Sequence, residues 1–210
     1  MRAEEILRLS PIVPVIALES EEDALPLANA LLEGGINIME ITLRTQAGLK
    51  AIEIISKHLP QMHVGAGTVL NGDDFKSAVE HGAAFIFSPG ISEDLLQTSK
   101  QTGIALIPGV ATASEVMLAK NHGFDHCKLF PATLAGGVEM LKALSGPFPT
   151  MRFCPTGGVN LNNLNEFLTL ENVLCVGGSW IVPKALIKEK DFKQITKLCV
   201  EAKDSIKGKK

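Results

Sequence analysis

The chain has 210 residues, 46% of them apolar and 20% charged, and its net charge is −3. That composition suits a compact globular protein with a sizeable core, and its balanced charge argues against a broad electrostatic hold on nucleic acid or an anionic membrane. The apolar runs are far too short to span a bilayer.

The opening residues, "MRAEEILRLS", have the spacing of a short amphipathic helix and lack the continuous apolar core of a signal peptide. Strand-like and helix-like segments then alternate. "PIVPVIALES" (11–20) reads as a strand and "EEDALPLANALLEGG" (21–35) as a helix. "EGGINIMEITLRT" (33–45) is followed by helical "TQAGLKAIEIISKH" (45–58), and "PQMHVGAGTVL" (60–70) by "NGDDFKSAVEHG" (71–82). "EHGAAFIFSPG" (80–90) precedes "SEDLLQTSKQTG" (92–103), and "TGIALIPGV" (102–110) precedes "TASEVMLAKNHG" (112–123). "HGFDHCKLFPA" (122–132) leads to "AGGVEMLKALSG" (135–146), and "TMRFCPTGGV" (150–159) to "NLNNLNEFLTLEN" (160–172). The eighth run is "NVLCVGGSWIVP" (172–183), and "DFKQITKLCVEAKDSI" (191–206) reads as a closing helix, with "KGKK" as a basic, solvated tail.

Several helical segments begin with Ser, Thr, Asp or Asn at the N-cap position. Gly35, Gly82, Gly103 and Gly123 precede strand runs, where a left-handed residue ends a helix. Strand and helix repeating every twenty-odd residues imply parallel strands with crossover helices. Eight such units predict a single-domain (β/α)8 barrel over residues 1–210, with a short N-terminal helix; a doubly wound open sheet is the alternative. Four cysteines without a C-x-x-C pair, three of them in apolar runs, read as buried thiols in a reducing cytosol. The five histidines show no metal-ligand spacing, so no metal is expected.

A barrel of this kind carries its site at the C-terminal ends of its strands. In "INIMEITLR" the two-residue period puts Met39 and Ile41 on the helix-facing side and turns Glu40 and Thr42 inward, with Arg44 at the rim. A structural Glu40–Arg44 pair and a catalytic carboxylate fit that stretch equally. In "HCKLF" Lys128 and Phe130 face inward while Cys127 and Leu129 face the helices. Lys128 then either pairs structurally with Glu40 or serves as a desolvated amine ready to attack a carbonyl and form an imine; the weak net value of a buried pair favours the second. "CPTGGV" and "CVGGSW" put Gly157 and Gly158, then Gly177, Gly178 and Ser179, where backbone N–H groups of the last two strand ends can cradle phosphate. Thr68 and Thr156 can each offer a hydroxyl at the rim or merely pack. Pro89 and Pro108 set loop geometry, and Trp180 reads as a packing residue.

"MEITLRT", "GAGTVL", "SPG", "PGVAT", "KLFPA", "CPTGGV" and "GGSWIVP" occur in that order from residue 39 to 183. Together they resemble the 2-dehydro-3-deoxy-6-phosphogluconate aldolase family, which includes 4-hydroxy-2-oxoglutarate aldolase activity. The resemblance implies a cytoplasmic, homotrimeric class I aldolase on a (β/α)8 barrel, acting on a 2-keto acid and releasing pyruvate, without metal or other cofactor. It implies Lys128 as the imine lysine and Glu40 as the acid/base. Arg44, Thr68, Pro89, Phe130 and Thr156 are implied around the substrate, and Gly157, Gly158, Gly178 and Ser179 around its phosphate. The family pattern has a second phenylalanine and a glutamate where this chain has Leu129 and Thr133. A sugar-phosphate epimerase and a non-catalytic phosphometabolite-binding protein are the alternatives.

Overall fold

A computed structural model describes residues 1–206. The basic "KGKK" tail lies outside the described residues. After α1 (Ala3–Leu7), nine parallel strand segments run in chain order: β1 (Ile12–Ile16), β2 (Ile38–Thr42), β3 (His63–Gly67), β4 (Ile86–Phe87), β5 (Leu106–Ile107), β6 (Gly109–Val110), β7 (His126–Leu129), β8 (Arg152–Phe153) and β9 (Val176–Gly178). Between them lie α2 (Ala24–Glu33), α3 (Gly48–His58), α4 (Gly72–Glu80), α5 (Glu93–Thr102), α6 (Ala113–Asn121), α7 (Gly137–Ser145) and α8 (Leu164–Leu168); α9 (Lys184–Lys188) and α10 (Phe192–Asp204) follow β9. No described helix is long and apolar enough to cross a membrane.

The architecture is α/β, with a curled parallel sheet and helices between its strands. Six strands form one sheet in the order β5–β4–β3–β2–β1–β9, and β6–β7–β8 form a second. The sheets part at Pro108, which has no N–H to give a ladder, although its carbonyl still accepts the Lys128 N–H at 2.9 Å. Pro155 plays the same part beyond β8, where its carbonyl accepts the Gly177 N–H at 2.9 Å. Isolated parallel bridges join Phe153 to Val173 and Thr156 to Gly177. One run read from the sequence as a single strand, "TGIALIPGV", is thus two segments.

Local chemistry accounts for the element ends. Asn71, Ser92 and Thr112 side chains accept the N–H groups of Asp74, Leu95 and Glu115, capping α4, α5 and α6; each such cap contributes about 1 kcal/mol. Gly35, Gly82, Gly103 and Gly123 all have positive φ, as expected from their places before strands. The segment 160–172 is helical only over α8, and α9 was not apparent in the residue pattern. All five residues of β2 are buried, as befits a parallel strand covered on both faces. The four cysteines are buried, and burial pushes Cys199 up to about 12.

His126 opens β7, at the opposite end of the strand from the predicted site. Its Nε2 is buried and has no hydrogen-bond partner among the described residues. Burial holds the imidazole below its usual 6.5; Glu4 and Asp125 oppose that shift, and Arg152 and Arg8 add to it. The folded state therefore favours the neutral ring. Its contribution to stability is complete above 6.5 and is lost as pH falls from there toward the lower folded value. Thermal melts should show stability falling just below pH 6.5 in the native chain and a flatter profile there in His126→Gln.

Candidate active site

The strand period turns two side chains inward, and they meet. Lys128 on β7 is 4% exposed and Glu40 on β2 is 1% exposed. The Lys128 ammonium donates to both carboxylate oxygens, at 3.1 Å to Oε1 and 3.4 Å to Oε2. Room for the carboxylate comes from Gly67 of β3, where any Cβ would collide with Glu40. Two aromatic rings flank the amine: the Phe130 centroid lies 5.4 Å from Nζ and the Phe87 centroid 5.3 Å. Both distances are in the range of a cation–π contact.

Phe87 was not singled out from the sequence. The signal was there: Phe85 and Phe87 share one strand face in "FIF", and the rings meet edge to face at 5.8 Å. Gly65 leaves the space that Phe85 fills. Leu129, as expected from its parity, is fully buried among the apolar core residues.

The Glu40–Arg44 pair weighed from the sequence does not form, because Glu40 is engaged by Lys128. Arg44 instead donates from Nε to the Thr42 hydroxyl at 3.2 Å. It is exposed at the rim and has no carboxylate partner among the described residues. Thr68 follows β3 with φ of +57°, a strained conformation for a β-branched residue. Flanking bonds fix it there: Gly67 O accepts the Leu43 N–H at 2.8 Å, and the Val69 N–H reaches Phe87 O at 3.3 Å. Pro89 is half-buried, and its carbonyl lies so close to Gly109 that no Cβ would fit there; Gly109 is the ladder partner of Lys128.

Thr156 is buried, and its hydroxyl donates to Cys154 O at 3.4 Å in space left by Gly177. Its N–H donates to Leu129 O at 2.9 Å, which holds it beside the end of β7. Gly157 and Gly158 have φ of +99° and +80°. Both carbonyls are capped by hydrogen bonds. Gly157 O accepts the Thr133 N–H at 3.1 Å and its hydroxyl at 3.3 Å. Gly158 O accepts from Asn160 Nδ2 at 3.2 Å and from Asn163 Nδ2 at 3.0 Å. The two glycine N–H groups find no acceptor among the described residues. Such a peptide pair has its carbonyls engaged and its N–H groups unclaimed, the polarity an anion requires. Gly178 is buried beneath the Trp180 ring and Ser179 is exposed beside it, so Trp180 packs as expected. No group of three or more His, Cys, Asp or Glu among the described residues could hold a metal ion.

The chain resembles known proteins over nearly its whole length. The family model described as "Aldolase: KDPG and KHG aldolase" matches residues 3–198. The 2-dehydro-3-deoxy-phosphogluconate aldolase of Pseudomonas aeruginosa is 49% identical over 201 residues, covering 96% of this chain and 91% of that one. The KHG/KDPG aldolase of Escherichia coli K12 is 46% identical over 205 residues, covering 98% and 96%. Among solved structures, the KDPG aldolase of Legionella pneumophila, with pyruvate captured as a covalent carbinolamine intermediate, superposes with a TM-score of 0.95. It is 47% identical, with 97% of this chain and 98% of that chain covered.

The buried pair generates a stability prediction of its own. Lys128→Met should destabilise the fold by about 3–5 kcal/mol, because it strands the Glu40 carboxylate without a partner. Adding Glu40→Leu should restore most of that loss in denaturant titrations.

Proposed function

The chain belongs to the KDPG and KHG aldolase family, and on that premise we propose how its residues carry the reaction. It is a carbon–carbon lyase that works through a Schiff base. It cleaves 2-dehydro-3-deoxy-6-phosphogluconate to pyruvate and glyceraldehyde 3-phosphate, or 4-hydroxy-2-oxoglutarate to pyruvate and glyoxylate. The observation that carries the residue assignment is a single buried amine, bonded to a carboxylate and walled by two aromatic rings.

Lys128 attacks the C2 ketone as a free amine, and its hydrogen bond to Glu40 is a direct route for the proton it must lose first. Glu40 returns that proton to the carbinolamine hydroxyl, which leaves as water and gives a protonated imine, an electron sink. Glu40, through a water molecule, takes the proton of the C4 hydroxyl. The C3–C4 bond breaks, its electrons pass into the imine, and an enamine of pyruvate and an aldehyde result. Glu40 then returns a proton to C3, and hydrolysis of the imine frees pyruvate and Lys128. Acid/base assistance of this kind contributes about 10²–10⁴-fold.

Arg44 holds the substrate carboxylate, Thr68 and Thr156 border the chain of the substrate, and Pro89 and Phe130 shape the wall around the imine. Gly157 and Gly158, with Gly178 and Ser179, receive the phosphate; the free N–H groups of the first two support that assignment. We read the strands as one closed eight-stranded (β/α)8 barrel in a single domain, with β5 and β6 as one strand broken at Pro108. The bridge from Thr156 to Gly177 and the pairing of β9 with β1 support closure. The four buried thiols suit a cytoplasmic setting. A homotrimer is the assembly that the family resemblance implies.

Borohydride reduction in the presence of pyruvate should leave a pyruvyl adduct on the peptide containing Lys128, and Lys128→Ala should neither trap nor turn over. An adduct elsewhere, or wild-type-like turnover by Lys128→Ala, would overturn the assignment. Sedimentation should give three times the 22.4 kDa chain mass; a monomer would refute the trimer.

A further inference from the structure

The loop that carries Arg44 is pinned more firmly than its exposure suggests. Thr42, the last residue of β2, is 1% exposed. Its hydroxyl donates to Ile16 O, at the end of β1, at 2.9 Å. A threonine hydroxyl has one proton, so toward Arg44 it acts only as an acceptor. The polarity of the relay is therefore set: Arg44 Nε–H to Thr42 Oγ1, then Thr42 O–H to Ile16 O. On either side of Arg44 the backbone is held as well. The Leu43 N–H donates to Gly67 O at 2.8 Å, and the Thr45 hydroxyl donates to Leu18 O at 2.5 Å.

A guanidinium can meet a carboxylate two-handed through Nη1 and Nη2, or through Nε and one Nη. Thr42 occupies Nε. The pair left free is Nη1 and Nη2, on a group with no carboxylate partner among the described residues. We propose that Thr42 is a positioning residue for the aldolase reaction: its buried hydroxyl orients Arg44 so that the Nη1/Nη2 edge receives the carboxylate of the 2-keto acid. The proposal rests on the reading of Arg44 as the carboxylate holder. It adds a residue that touches no substrate and contributes through pre-organisation, holding in place before binding a side chain that otherwise has many rotamers.

The test uses pyruvate, the part common to either substrate. In Thr42→Val, which keeps shape and removes the hydroxyl, the pyruvate concentration that half-saturates borohydride trapping should rise up to about tenfold, the ordering cost of one rotamer-rich side chain left unheld. KM for the cleaved keto acid should rise in parallel, with kcat within about threefold. Thr42→Ser, which keeps the hydroxyl, should behave like the native chain. In an Arg44→Ala background Thr42→Val should change neither value further. Thr42→Ala, open enough for water to reach the Ile16 carbonyl, serves the same comparison if the valine variant fails to fold.

Native affinity in both the valine and alanine variants would overturn the proposal. So would equal losses in Thr42→Ser and Thr42→Val, or a Thr42→Val effect that persists without Arg44. Arg44→Ala with undiminished pyruvate affinity, in an enzyme that still traps on Lys128, would instead overturn the reading of Arg44 itself and the proposal with it.

Discussion

The contact between Lys128 and Glu40 constrains everything around it. The two residues are separated by 88 positions and sit on β7 and β2, which lie in different sheets. They can meet only if both strands turn the same side chains toward one interior. Desolvating an ammonium and a carboxylate offsets much of their mutual attraction, so the pair adds little net stability. Its surroundings are built to accept it nonetheless. Gly67 gives up its side chain so that the carboxylate fits, and Phe87 and Phe130 turn ring faces toward the ammonium.

The same interior explains the division of labour along each strand. Charge lies deep, where water is scarce and electrostatic interactions are strong. The groups proposed for recognition lie at the rim, on loops whose backbones are tied to neighbouring strand ends. The segment after β2 is tied to the end of β1 through threonine hydroxyls. The segment after β8 is tied through Thr133, Asn160 and Asn163, which engage the glycine carbonyls and leave the N–H groups free. Both devices set the direction of a polar group before any ligand arrives, which lowers the ordering cost of binding.

Much of this was legible in the residue order. Alternation of strand and helix patterns marked the parallel sheet, and four glycines ahead of strand runs took the left-handed backbone expected of them. The two-residue period put Glu40, Thr42, Lys128 and Phe130 on inward faces. Less legible were features that depend on what lies across the interior. In "AAFIFSPG" Phe87 is one apolar residue among several, and only the fold brings it beside Lys128. Glu40 had Arg44 close by in sequence as a rival partner, and nothing in the stretch decided between them. The break at Pro108 and the short α9 reflect local geometry that apolar periodicity does not encode.

The sequence by itself determined the order of elements, the inward parity of the catalytic candidates and, through seven motifs in register, the family. Those properties depend on local backbone chemistry and on side-chain direction along a strand, which repeats every two residues. The tertiary structure alone decided the partnerships: Lys128 with Glu40, Arg44 with Thr42, Thr133 with Gly157. Even the Arg44–Thr42 bond, between residues two apart, takes its polarity from a carbonyl on another strand. A hydroxyl has one proton to give and a carboxylate has limited space for partners, so which bond forms depends on what the fold brings within reach.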